Sequence, residues 1–150
     1  MMMTEWLEHQ TSTHQDHVIA HVVGATVLGY FVKEEAAHLL LDIGFIWTIL
    51  LDGEMGLVTQ SLAIAELLID DETRAGLLSD AQRLHDGAGD TAPLSSMTSA
   101  PDECLVTEVD FYAHQERRRI VVGCEGASLL IETSLVTREI TVEALAGDAA

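Results

Sequence analysis

Apolar and polar positions alternate through the last third of the chain, a pattern typical of antiparallel strands. The pattern predicts four strands in a meander, at 104–113, 118–124, 129–133 and 138–144. If the first turn is centred on Gln115 and Glu116, then Val109 faces Val122 and Phe111 faces Ile120. This register places apolar against apolar side chains, so the alternation predicts strand pairing as well as strand positions.

The N-terminal half of the chain contains denser runs of apolar residues than the last third. β-branched and aromatic residues between His17 and Val32 favour strand, with Gly24 and Gly29 indicating a bulge or a tight connection. The next segment, 34–44, combines acids in its first turn with a terminal glycine, which predicts a short helix. Phe45–Leu51 then predicts a strand buried on both faces and ended by Asp52-Gly53.

Two further segments precede the meander. Residues 60–69 slightly favour helix, and Asp70 or Asp71 can cap a clearer helix that runs to Asp86 and stops at Gly87. Residues 87–103 contain both prolines together with small polar residues, which predicts a flexible connector.

These elements predict an α+β fold in which a C-terminal four-stranded antiparallel meander packs with two or three helices and one or two further strands from the N-terminal half. We expect a single domain over 1–150, with a β-α-β-α front half at 1–86, a connector at 87–103 and the meander at 104–146.

Composition narrows the class of protein. The 150 residues are 48% apolar, enough for a packed core, yet the formal net charge is −18 and Lys33 is the only lysine. Nucleic acid and anionic membrane surfaces both attract clustered basic residues, so neither is an expected partner. The longest apolar stretches, at 18–32 and 39–51, contain His21 and Asp42, and no signal peptide precedes them, so we expect a soluble, cytoplasmic protein.

The two cysteines, Cys104 and Cys124, form neither a CxxC pair nor a disulfide framework. A reducing compartment and buried apolar roles are therefore expected for both. No base is near them in sequence, so the pattern does not support a reactive thiolate.

Histidines are concentrated near the N-terminus, at His9, His14, His17 and His21. His17 and His21 share a face in either a helix or a strand, and imidazoles on one face can bind zinc or copper, with a first shell completed by Glu5, Glu8 or Asp16. The spacing matches no zinc motif, so structural histidines are the alternative interpretation.

A second group of candidate residues comprises His38, Asp42, Asp52 and Glu54. On a helix, His38 and Asp42 are four residues apart, so the carboxylate could orient the imidazole for general-base chemistry. Asp52 and Glu54 follow a buried strand, where two carboxylates could hold Mg²⁺ or Mn²⁺. The alternative is a solvated helix face followed by an ordinary hairpin turn.

Arg117, Arg118 and Arg119 form the only basic cluster. They could clamp a carboxylate or phosphate, but their place at a hairpin turn favours cross-strand ion pairs. The chain has no GxSxG, GxxxxGK[ST] or GxGxxG motif, which removes the usual hydrolase, P-loop and dinucleotide-binding interpretations.

Two functional hypotheses remain. The first is a non-enzymatic assembly or ligand-binding module that acts as a homodimer, with a small molecule as a further partner. The second is a metal-dependent enzyme or metal-binding protein that holds a divalent cation (Mg²⁺, Mn²⁺ or Zn²⁺) through His38, Asp42, Asp52 and Glu54, or through His17, His21, Asp52 and Glu54. The lack of a catalytic motif favours the first hypothesis.

Overall fold

The computed structural model describes residues 6–87 and 94–146, apart from the side chain of Ala146. In these ranges the chain forms ten strands and three helices, so the fold is broadly α+β but richer in strand than predicted. In chain order the elements are β1 (Leu7–Glu8), α1 (Thr13–Val22), β2 (Val27–Lys33), β3 (Ala36–Leu41), β4 (Phe45–Leu50), β5 (Met55–Thr59), α2 (Gln60–Ala65), α3 (Asp71–Asp86), β6 (Thr98–Ser99), β7 (Val106–His114), β8 (Arg117–Cys124), β9 (Ala127–Ser134) and β10 (Ile140–Ala146).

The strands form two antiparallel sheets. The front sheet has the order β5-β4-β3-β2-β6, and the back sheet has the order β1-β7-β8-β9-β10. The predicted meander is therefore confirmed and gains β1 as a fifth strand. Its predicted register is also confirmed, because Val109 pairs with Val122 and Phe111 pairs with Ile120.

One apolar core joins the inner faces of the two sheets. Trp47 and Ile49 of the front sheet and Ile120 and Leu129 of the back sheet are fully buried in it. Val18 and Val22 of α1 belong to the same core, so this helix packs against the sheets.

A second core lies between the outer face of the front sheet and the helices α2 and α3. Leu40 and Ile46 from the sheet meet Ile64, Leu77 and Ala81 from the helices. The front sheet is thus covered on both faces. Among the described helices, none has the length and apolar character needed to cross a membrane.

The helix predicted at 34–44 is wrong, because this segment forms the β2–β3 turn and strand β3. Glu34 and Glu35 both have positive φ, 53° and 57°, which is the geometry of a two-residue hairpin turn. All six residues of β3 are buried, since β3 lies in the middle of a sheet that is covered on both faces. A strand in this position lacks alternation, so its pattern resembles that of a buried helix.

The strand interpretation of residues 17–32 is correct only for its second half, where β2 contains a bulge between Val27 and Gly29. The first half belongs to α1. A capping box begins this helix, with Ser12 accepting from the amide of Gln15 and the Gln15 side chain accepting from the amide of Ser12. Capping and the inward spacing of Val18 and Val22 outweigh the β propensity of the valines.

The helix capped by Asp70 is confirmed as α3, which ends at Gly87 in the left-handed conformation. Of the predicted connector, residues 88–93 lie outside the described residues, and Thr98–Ser99 form β6 beside β2.

Asp80 joins the segment before β6 to α3. Although it is a charged residue, it is only 1% exposed. Its carboxylate accepts hydrogen bonds from the amides of Ser95, Ser96 and Met97 and from the Ser95 hydroxyl. Burial alone raises the pKa of the Asp80 carboxyl, but these donors outweigh it, and the pKa lies below its usual value.

Candidate functional site

His38 lies within the front sheet, where both of its ring nitrogens have partners. Nδ1 is 3.0 Å from the Thr48 hydroxyl, Nε2 is 3.1 Å from the Lys33 carbonyl, and the ring stacks on Phe31 with centroids 4.7 Å apart. The residue is 6% exposed, and burial lowers the pKa of its imidazole. His38 is therefore held as a neutral side chain within the sheet.

The structure does not bring His38 and Asp42 together. His38 lies in β3 and Asp42 directly follows this strand, so four residues of extended chain separate them by about 13 Å rather than by one helical turn. The Asp42 carboxylate instead accepts from the amide of Thr26, at the far end of the β2–β3 pair.

Asp52 and Glu54 lie in the β4–β5 turn. Asp52 accepts from the amide of Glu54, as an aspartate commonly does in a turn. The turn is fixed from both sides, because Gln15 of α1 donates to the Gly53 carbonyl at 2.8 Å and Thr133 of β9 donates to the Leu51 carbonyl. Within residues 6–87 and 94–146, no three His, Cys, Asp or Glu side chains converge as a metal site.

Two arginines of the basic cluster form cross-strand ion pairs, as the sequence predicts, and their partner lies on the neighbouring strand β9. Arg117 and Arg119 both contact Glu132 of β9, at 3.1 and 2.7 Å. Arg119 also lies over the Trp6 ring, 4.1 Å from its centroid. Arg118 donates to the carbonyls of Gln115 and Arg117. These guanidinium groups are therefore already engaged within the back sheet.

The N-terminal histidines occupy different surroundings. His9 follows β1, where its amide donates to the Phe111 carbonyl, whereas His14, His17 and His21 lie on α1. The rings of His17 and His21 are 6.2 Å apart on successive turns. Glu5, proposed as a further ligand, lies outside the described residues.

The histidines of α1 line an open groove between this helix and the front sheet. Its volume is about 590 Å³, within the range of small-molecule sites. Seven side chains form its walls: His14, His17, Val18, His21, Ile43, Phe45 and Leu57. The groove therefore combines a mostly apolar surface with three imidazoles from one helix.

Hydrogen bonds to backbone carbonyls determine which ring nitrogen of His14 and of His21 remains available to a ligand. His14 Nε2 is 2.9 Å from the Met55 carbonyl, and His21 Nδ1 is 2.9 Å from the His17 carbonyl. A carbonyl only accepts, so these nitrogens carry the hydrogens. In the neutral form of either ring, the other nitrogen is then an acceptor. The groove is suited to a molecule with an apolar body and a hydrogen-bond donor.

Sequence reasoning missed this groove because it placed His17 and His21 on a strand and Ile43 on a helix. The usable signal was the Ser12–Gln15 capping box. Once a helix begins there, positions 14, 17, 18 and 21 fall on one face.

Comparison with protein-family models, with curated proteins and with solved structures finds no match to this chain. Its function is therefore inferred from its own residues.

Proposed function

We propose that this protein is a non-enzymatic ligand-binding module whose site is the groove beside α1. The observation that supports this proposal is the combination of an apolar groove of about 590 Å³ with imidazole acceptors at His14 and His21. Sites of this kind bury the body of a ligand against apolar walls and orient it with a few polar groups.

The charge of the chain favours cationic over anionic ligands. A net charge of −18 attracts cations to the surface and repels carboxylates and phosphates. The proposed ligand is therefore a small aromatic or aliphatic amine, with its apolar body on Phe45 and Leu57 and its ammonium donating to the imidazoles.

Three naphthalene compounds that differ only in head group test this proposal. We expect 1-naphthylmethylamine to bind with a Kd of about 0.3 mM, 1-naphthol to bind more weakly, and 1-naphthoate to bind weakest. The measurement is the shift of the histidine ring signals in NMR titrations at neutral pH. His14, His17 and His21 should move, while the buried His38 serves as an internal control.

A matched pair of variants locates the site. Ile43 lies in the groove and is 49% exposed, whereas Leu62 is 50% exposed and lies outside it. Ile43→Ser should weaken binding of the amine by about fivefold through lost apolar contact, and Leu62→Ser should leave it unchanged. Equal binding of naphthoate and the amine, or shifts at His38 alone, would contradict the proposal.

The same titration with Zn²⁺ tests the metal-binding alternative, which the proximity of His17 and His21 favours. A zinc affinity far above that of the amine, lost in His17→Gln, would favour that alternative over the amine site.

We further propose that the module acts as a homodimer through the free edge of β10. This strand is seven residues long and, among the described strands, pairs only with β9. Its sequence, ITVEALA, contains no proline or lysine to block pairing. A two-fold axis at Val142 places Ile140 opposite Ala144 and Thr141 opposite Glu143 of the second copy, so no like charges face each other.

We expect sedimentation velocity at tens of micromolar to show a dimer that strengthens as salt rises from about 0.15 M to about 1 M, because salt screens the repulsion between acidic subunits. Ala144 lies on the inner side of the edge strand opposite Leu129, so Ala144→Lys should shift the protein to monomer.

The control is Ala75→Lys, which adds the same charge at an exposed position on α3. It should leave the dimer intact. A wild-type monomer at every salt concentration, or a dimer unaffected by Ala144→Lys, would exclude pairing through this edge.

A further inference from the structure

The two cysteines lie side by side, although 20 residues separate them in sequence. Cys104 Sγ is 3.2 Å from Cys124 Sγ. Cys104 is fully buried in the core between the sheets, and Cys124 is half-buried beside it. A bond between the two sulfurs requires them to approach by about 1.2 Å more.

The strand register produces this proximity. Cys124 pairs with Val106, and the chain stays hydrogen-bonded beyond this pair, because Glu125 donates to Leu105 and Gly126 donates to Glu103. Gly126 permits the close approach, since a Cβ at this position would lie 2.8 Å from the Cβ of Glu103. The sequence alone places Cys104 in no such pair.

The two thiols differ in accessibility and acidity. The hydrogen bond from Cys104 lowers the pKa of the Cys124 thiol, although burial opposes this. The hydrogen bond to Cys124, followed by burial, raises the pKa of Cys104. Cys124 is thus the thiol that solvent reaches and that ionises first, and Cys104 is the protected one.

We propose that Cys104 and Cys124 are a reversible dithiol site that is oxidised to an intramolecular disulfide by small disulfide compounds. The Cys124 thiolate attacks one sulfur of the compound RSSR, whose S–S bond breaks and releases one RS⁻, which takes up a proton. Cys104 then loses its proton and attacks Cys124 Sγ, and the second RS⁻ leaves and is protonated. The pair loses two electrons and two protons, and RSSR becomes two RSH.

Acidic side chains next to Cys124 determine which disulfide reacts best. Glu125 follows it in sequence, Glu108 lies against Gly123, and Glu103 lies against Gly126. These carboxylates attract a cationic disulfide such as cystamine and repel glutathione disulfide, which is anionic. Cystamine is therefore the better oxidant, and its advantage decreases with salt.

Intact mass spectrometry of the full chain after exposure to each disulfide tests the site. Wild type should lose two hydrogens in mass, carry no adduct and resist alkylation, and it should react faster with cystamine than with glutathione disulfide by about tenfold at low salt. Cys104→Ser should keep a single cysteamine adduct on Cys124, because the resolving thiol is gone. Cys124→Ser should remain unmodified, because Cys104 is buried.

A second measurement on wild type alone keeps the test independent of how the variants fold. The disulfide closes a loop of about 20 residues, so oxidation should raise Tm by about 5–10 °C, and dithiothreitol should reverse the rise. Two adducts on the native wild type, an unreactive native protein, or a disulfide between two chains would each overturn the proposal.

Discussion

Replacing Asp80 by asparagine is expected to lower the free energy of unfolding by about 3 kcal/mol at neutral pH. The side chain is buried, and four donors converge on its two oxygens. An amide of the same shape offers only one oxygen, so in either orientation its NH₂ group faces backbone N–H donors, those of Ser96 and Met97 or that of Ser95. Urea unfolding of the two proteins measures the difference.

Asp71→Asn is the matched control, since it removes the same charge from the same helix. The Asp71 side chain is fully exposed and, among the described residues, pairs only with Arg74, so the change should lower the free energy of unfolding by less than about 0.5 kcal/mol. Equal effects of the two substitutions would mean that the loss of charge, rather than the buried hydrogen bonds, is responsible.

The difference in free energy of unfolding between wild type and Asp80→Asn should change with pH in one direction. The pKa of Asp80 is lower in the folded protein than the ordinary value of 3.8. The unfolded chain therefore binds the proton more readily. The stabilisation is complete above pH 3.8 and is lost as the pH falls through the lower folded pKa. The destabilisation by asparagine should therefore shrink only in acid.

Gly29→Ala is expected to lower the free energy of unfolding by about 3 kcal/mol. A Cβ at this position would lie 2.9 Å from the Thr98 carbonyl oxygen and 2.6 Å from a methyl group of Leu84. The first contact is to the backbone of β6, which pairs with β2 at this point, so it can be relieved only by moving the strand. Loss of the β2–β6 pairing should follow, measured as faster amide hydrogen exchange in β6 together with a lower Tm.

Gly56→Ala tests whether this cost is specific. Gly56 lies in β5 of the same sheet, and no atom of the described residues lies within 4 Å of a Cβ built there. Alanine should be neutral or slightly stabilising at this position, because it restricts the unfolded chain. If Gly56→Ala lowered the free energy of unfolding as much as Gly29→Ala, glycine would be needed for backbone freedom rather than for close packing.

The candidate site was predictable only in part, for a reason visible at His38 and His21. Both residues were singled out by type and spacing, but their roles depend on the element that carries them. On a strand, the predicted partnership of His38 with Asp42 cannot form, and the imidazole is instead satisfied by Thr48 and Lys33. On a helix, His21 faces a groove whose opposite wall comes from residues 43–57.

The sequence by itself determined the elements whose signals are local. The register of β7 and β8 follows from a short turn and an alternation that faces solvent on one side, and α3 follows from its caps at Asp70 and Gly87. Only the tertiary structure decided the identity of β3, the groove beside α1 and the contact between Cys104 and Cys124. Each of these depends on layers or strands that are distant in sequence. Because both faces of β3 are covered, its residues do not alternate between apolar and polar, and the cysteine contact requires the register of β7 and β8 to continue past Val106.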